Sequence, residues 1–164
     1  MSLDRDTVDT GHLVEDAAPP AAVLRVLNPI LRLLLRLPTS RLIKPLALAE
    51  FTGRKTGERR RVVVGWHRID DIAVVVTPAA WRANFIGGRS ATVRRRGSAA
   101  DYSGTLVTDP DVVAATLNTL LANGTSPRSL ALRMPAGHHI TADDVAHTRR
   151  ALIRFEPATE DQRP

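Results

Sequence analysis

The stretch FTGRKTGERRR, residues 51–61, places five cationic side chains and two glycines in eleven positions. Arg54, Lys55 and Thr56 lie between Gly53 and Gly57, so three side-chain donors stand on a turn whose glycines let backbone N–H groups face one acceptor. Guanidinium, ammonium and hydroxyl donors suit the oxygens of phosphate or carboxylate. The spacing differs from the nucleotide-hydrolase phosphate loop, which has four residues between its glycines and a Lys-Ser/Thr directly after the second. On a following strand, Arg59 and Arg61 point to one face and Arg60 to the other. Taken alone, the stretch reads either as a solvated hairpin tip or as an anion socket.

Two further clusters carry chemistry. In TPAAWRANFIGG, residues 77–88, Trp81 and Phe85 are four apart and share a face of a helical turn. The segment is either a connection pinned to the core by its rings, or a ledge beside a flat ligand that approaches the backbone near Gly87 and Gly88. Arg94, Arg95 and Arg96 form the second basic cluster, in which Arg94 and Arg96 either line the same groove as the first or charge an edge strand. His67, His138, His139 and His147 show no ligand spacing such as HExxH, and no metal site is expected. No Ser-His-Asp arrangement follows from linear spacing. Asp70-Asp71 reads as a hairpin turn and Asp143-Asp144 as the start of a helix.

The whole chain favours an anionic partner. It has 164 residues, enough for one domain, with a net charge of +6 and a pI near 11.1. Stacking on single-stranded nucleic acid uses aromatic rings, and only six aromatic residues are present. No helix-turn-helix, zinc-finger or RNP motif appears, so nucleic acid is not the expected partner. The absence of cysteine excludes disulfides, thiolate metal sites and Cys nucleophiles, and a cytoplasmic location is expected. No secretory signal is read at the N-terminus.

The elements that must position these residues follow from periodicity. Residues 1–20 are acidic, polar and end in Pro-Pro, and read as a flexible tail. Residues 21–157 form the folded domain, and 158–164 a second tail. Residues 21–37 have helical apolar spacing, with Arg25, Arg32 and Arg36 on one face. That helix either covers one end of the core or lies against the inner face of a membrane with its arginines at the headgroups. LALAEFT, RRVVVGWHRI and IAVVVTP then read as an antiparallel meander, and SATVRRRG with ADYSGTLV as a second hairpin. Asp109-Pro110-Asp111 caps a helix that Asn123-Gly124 stops. Thr141 to Asp144 resembles a capping box, and RRALIRFEP supplies a last strand at the barrel edge.

The order of these features resembles the deazaflavin-dependent nitroreductase family. TGRKTG after a strand, the Val-rich strand, WRANF, the glycine pair and the TVRRRG strand carry the resemblance, which covers about residues 28–108. It implies an α+β split β-barrel, related to flavin-mononucleotide-binding oxidoreductases, with about six antiparallel strands, an N-terminal helix and a helix after the fifth strand. It also implies binding of the deazaflavin coenzyme F420, with FMN as the alternative cofactor. By that resemblance Arg54, Lys55, Thr56 and Gly57, with Arg60, take the phosphate side. Val62, Val63, Val64 and Gly65 run along the ring, while Thr77, Trp81, Arg82 and Asn84 form the aromatic-polar element beside it. The implied activity is hydride transfer between deazaflavin C5 and a small hydrophobic electrophile such as an enone, quinone or nitro compound, without a side-chain nucleophile. A homodimer is also implied. Two features depart from the family: Thr77 to Ala80 replaces a longer glycine-rich loop, and Tyr102 is the sole tyrosine. The alternatives are a non-catalytic carrier of F420 or flavin, and a basic protein that meets a membrane surface or nucleic acid through the same arginines.

Overall fold

The computed structural model describes residues 13–16 and 46–159. The helix expected over residues 21–37, with its membrane contact, lies outside the described residues, as does most of the first tail. Among the described residues no helix is long and apolar enough to cross a membrane.

The strands are β1 (Glu15–Asp16), β2 (Leu46–Thr52), β3 (Arg59–Gly65), β4 (His67–Ile69), β5 (Ile72–Thr77), β6 (Arg89–Arg95), β7 (Ser98–Val107), β8 (Leu132–Arg133) and β9 (Ala151–Pro157). Two α-helices, α1 (Pro110–Ala122) and α2 (Ala142–Thr148), and two 3-10 helices, Ala80–Phe85 and Pro127–Leu130, complete the described elements. Seven strands form one antiparallel sheet in the order β3-β2-β6-β7-β9-β5-β4, and β1 pairs with β8 beside it. The fold is α+β, a curled split barrel.

Closure is dictated by the chain itself. β3 is one edge of the sheet and β4 the other, yet only Trp66 separates them. The two edges must therefore meet at that residue, and the sheet wraps round on itself. RRVVVGWHRI, one strand by periodicity, is thus divided into two, and the sheet has seven strands where about six are expected. Gly65 eases the bend, because a Cβ there would stand 3.2 Å from the His67 Nε2 and the ring would have to shift slightly. The sealed His67 imidazole has its pKa lowered by burial.

Alternation along each strand divides the apolar residues between an inside and an outside. Ala47, Ala49 and Phe51 of β2, Val64 of β3, Val75 of β5, Val93 of β6 and Phe155 of β9 fill the interior with Trp66 and Phe85. Val74 and Leu152 face outward, where Val113, Leu117 and Leu120 of α1 and Val145 of α2 cover them. β9 is therefore apolar on both faces and sits between β7 and β5 rather than at the edge. β6 likewise lies between β2 and β7, so Arg94 to Arg96 do not charge an edge strand. The caps agree with the sequence: the Asp109 side chain accepts from Asp111 and Val112 N–H, and Thr141 and Asp144 form a reciprocal capping box.

The outer face of β2 carries a buried carboxylate. Glu50 is 7% exposed and faces Arg61 directly across the β2–β3 pair. Arg61 Nε donates to its Oε2 at 3.1 Å and Arg94 Nε, from β6 on the other side, to its Oε1 at 2.8 Å. Burial by itself raises the pKa of Glu50, but the bonds and charges of Arg94 and Arg61 outweigh it and hold the carboxyl below 4.5. The folded state thus keeps Glu50 ionised at lower pH than the unfolded chain does. This stabilisation is present above the unfolded value and lost as pH falls through the folded one.

Two stability predictions follow from the packing and this ion cluster. A Cβ on Gly104 of β7 would lie 2.7 Å from both the Phe85 and Phe155 rings, each fully buried. Gly104→Ala should cost about 1–3 kcal/mol in urea unfolding, and an unchanged midpoint would mean the rings have room to yield. Glu50→Gln should cost about 1–3 kcal/mol at pH 7 and flatten the loss of stability on acidification from pH 6 to 3. Parallel pH profiles for the two proteins would remove Glu50 as a source of that loss.

Candidate functional site

The β2–β3 turn is closed by its own backbone. Gly53 N–H donates to the Glu58 carbonyl at 2.8 Å and Gly57 N–H to the Gly53 carbonyl at 2.9 Å. Gly57 has φ of 68°, a conformation that favours glycine. Gly53 is needed for a different reason: a Cβ would come within 2.8 Å of the Thr56 hydroxyl and 3.1 Å of Arg60 Nε. Its missing side chain lets both polar groups fold over the base of the turn.

A second element is tied to this turn. Arg54 N–H donates to Asn84 Oδ1 at 2.8 Å, and Asn84 Nδ2 donates to the Trp81 carbonyl at 2.7 Å. Asn84 therefore joins the turn to the 3-10 helix across 30 residues of sequence. Arg89, at the start of β6, adds a parallel tie, with Nε donating to the Asn84 carbonyl at 3.1 Å and Nη1 to the Thr52 carbonyl at 3.3 Å. Among the described residues nothing accepts from the N–H groups of Lys55 and Thr56, which leaves these two of the turn for another acceptor.

Between the two elements lies a cleft of about 340 Å³. Arg54, Lys55, Thr56 and Arg60 line one side, and Ala80, Trp81, Ala83 and Asn84 the other. Three of these eight side chains are cationic and none is acidic, so the field inside favours an anion. The Trp81 ring is half-buried, 5.9 Å from Phe51 at 34° and 6.1 Å from Phe85 at 77°. Phe51 and Phe85 are themselves 4.9 Å apart, so the aromatic wall is continuous with the barrel core. A rigid apolar face beside convergent cationic donors is an arrangement for a ligand with an oxyanion and a flat body. Among the described residues that line it there is no His, Asp, Glu or Tyr, and the donors present suit binding and orientation of an anion.

Of the residues singled out by sequence, the structure brings Arg54, Lys55, Thr56, Arg60, Trp81 and Asn84 together, with Gly57 closing the turn behind them. Arg59 and Arg61 point to the outer face, where Arg61 is held by Glu50. Val62 and Val64 face the interior, while Val63 and Gly65 lie on the outside of β3. Thr77 is buried below the 3-10 helix, its hydroxyl accepting from Ala79 N–H at 3.1 Å. Arg82 turns away from the cleft and donates to the carbonyls of Thr77 and Arg149, at 3.3 and 2.6 Å. Arg94 and Arg96 do not join the first cluster: Arg94 is paired opposite Leu48, toward the far end of β2 from the turn.

Sequence reasoning missed four contributors. Ala80 and Ala83 flank Trp81 and leave the cleft open, and the small residues around a lone tryptophan were the available signal. Glu50 was signalled by a single acid within the apolar LALAEFT. Arg89 had no signal, because its acceptors are backbone carbonyls far away in sequence. A larger groove of about 830 Å³ lies between α1 and residues 134–139, lined by Leu121, Met134 and His138 among others. Its described lining residues include no Lys or Arg.

No protein-family profile matches the chain, and no curated protein matches it in sequence. Solved structures that resemble it include a domain-swapped dimer, at 13% identity and TM-score 0.48, covering 84% of this chain and 100% of that one. Another is an F420 reductase, at 14% identity and TM-score 0.40, covering 70% of this chain and 86% of that one. A third is the FAD- and heme-binding protein from Mycobacterium smegmatis, at 18% identity and TM-score 0.45, covering 77% of this chain and 66% of that one. These likenesses are remote, and the chemistry of the cleft rests on its own residues.

Proposed function

We propose that the cleft holds the phosphate side of coenzyme F420 and that the protein is an F420-dependent oxidoreductase acting on a small hydrophobic electrophile, such as an enone, quinone or nitro compound. The observation that carries this reading is the convergence beside Trp81 of Arg54, Lys55, Arg60 and the Lys55 and Thr56 N–H groups, for which no described residue supplies an acceptor. A phosphodiester needs such a set of donors, and FMN, the alternative cofactor, shares the requirement. A volume of about 340 Å³ takes the phosphate and its immediate neighbours, so the remainder lies outside the cleft. β3 supports a place for it: among the described residues this strand has a neighbour on one side only, so its outer edge offers unpaired backbone donors and acceptors along Val62 to Gly65.

When bound, the deazaflavin supplies a hydride at its C5. The chain's own residues bind and orient. Arg54, Lys55 and Arg60 neutralise the anionic portion, Thr56 adds a hydroxyl, and Trp81 gives an apolar surface that excludes water from one side. Asn84 and Arg89 hold the two walls at a fixed separation, which limits the ordering cost of binding. Thr77 and Arg82 act through the 3-10 helix rather than by touching the ligand.

A second reading is a carrier that binds F420 without turning it over, favoured by the described lining residues, which include no acid or imidazole. Reduced F420 mixed with a panel of enones, quinones and nitroaromatics separates the two, since a carrier leaves the cofactor reduced. In a fluorescence titration with F420 and, separately, FMN, micromolar binding is expected for at least one. Arg54→Ala combined with Lys55→Ala should weaken it at least tenfold with an unchanged unfolding curve. Equal affinity in the double variant would remove the turn from the site.

A further inference from the structure

The far end of the barrel carries a second cationic mouth that the proposed cofactor cleft does not use. β6 runs into β7 through Arg96 and Gly97, with φ of 49° and 80°. A two-residue turn with both positions left-handed favours Asn-Gly, and arginine at its first position carries a steric penalty.

Arg95, the residue before it, lies on the inward face of β6 with Ala91 and Val93. Its guanidinium carbon stands 5.6 Å from the centre of the Trp66 ring, which packs edge-on against Tyr102 at 5.2 Å. This cation–π contact favours the guanidinium in that position. Arg95 Nε is nevertheless sealed from solvent with no hydrogen-bond partner. A buried donor left unpaired is uncommon because its desolvation is uncompensated.

Arg150 Nε is sealed without a partner in the same way, but its Nη2 donates to Asp16 and the Ala131 carbonyl, while Arg94 and Arg61 share Glu50 and Arg82 and Arg89 reach carbonyls. Among the described residues no carboxylate pairs with Arg95 or Arg96. Burial and the charge of Arg96, with a smaller contribution from Arg68, depress the Arg95 pKa, and Tyr102 opposes them only in part. A cavity of about 250 Å³ opens at this point, bordered by Arg95, Arg96, Ser98 and Tyr102.

We propose that this mouth is a second anion-binding site, which takes the carboxylate or phosphate group of a small molecule on the Arg95 guanidinium, with Arg96, Ser98 and Tyr102 as further donors. With Nε sealed, the Arg95 Nη1 and Nη2 groups are the donors left for two oxygens, and the centre of the Trp66 ring lies 5.6 Å from their carbon. The proposal does not depend on F420, and its test contains none.

The protein has two tryptophans, so Trp81→Phe leaves Trp66 as the sole indole reporter. This variant is titrated with inorganic phosphate and, separately, succinate at constant ionic strength, with chloride as the reference. A saturable change in Trp66 emission with either probe is expected, and the better probe identifies the preferred oxyanion. Adding Arg95→Met should weaken it at least tenfold, whereas Arg54→Ala with Lys55→Ala should leave it unchanged. Arg95→Lys, which keeps the charge and loses the fork, gives a second reading if the Met variant does not fold, and it too should weaken binding. Emission that fails to saturate, or saturation indifferent to the Arg95 variants, would overturn the proposal. Saturation lost with Arg54 and Lys55 would do the same, by placing the anion in the first cleft.

Discussion

One residue, Trp66, stands between the two edge strands of the sheet, and the geometry of the rest follows from that. Because β3 and β4 belong to opposite edges yet are consecutive in the chain, the sheet has to close. Closure places Trp66 inside, 5.2 Å from both Tyr102 and Phe155, and with Phe51 and Phe85 these rings fill the barrel from one mouth to the other. The same bend leaves the outer edge of β3 without a neighbour among the described residues. It also sets the β2–β3 turn and the β6–β7 turn at opposite ends of β2.

The excess of arginine is sorted by this architecture into two populations. Arg61, Arg82, Arg89, Arg94 and Arg150 are tied to carboxylates or backbone carbonyls and act as braces. Arg54, Lys55 and Arg60 face a cleft with no acid in its lining, and Arg95 and Arg96 face the second cavity. A net charge of +6 gives no hint of this division, because it depends on strand alternation and on where Glu50 is buried.

Much of the fold was legible because it rests on local rules. Strand alternation located β2, β5, β6, β7 and β9, and the Asp109-Pro110 and Thr141–Asp144 caps marked the helix starts. What escaped was non-local. RRVVVGWHRI keeps its apolar period through Trp66, so the bend depends on Gly65 and closure rather than on any local breaker. The interior positions of β6 and β9 follow from pairing order, which strand periodicity does not encode. In the site, the order of TGRKTG and WRANF along the chain anticipated two walls, and Asn84 joins them by one hydrogen bond. The sequence did not separate Arg82, which braces a helix end, from Arg60, which lines the cleft, since both are arginines near a tryptophan and only the fold orients them.

The account turns on where F420 binds, and amide and indole chemical-shift mapping reads that directly. On adding F420 to isotopically labelled protein, the largest changes should fall on the Lys55 and Thr56 amides and the Trp81 indole, with a second group along Val62 to Gly65. Changes confined to the Arg95 mouth, to the groove beside α1, or absent at saturating cofactor would contradict it.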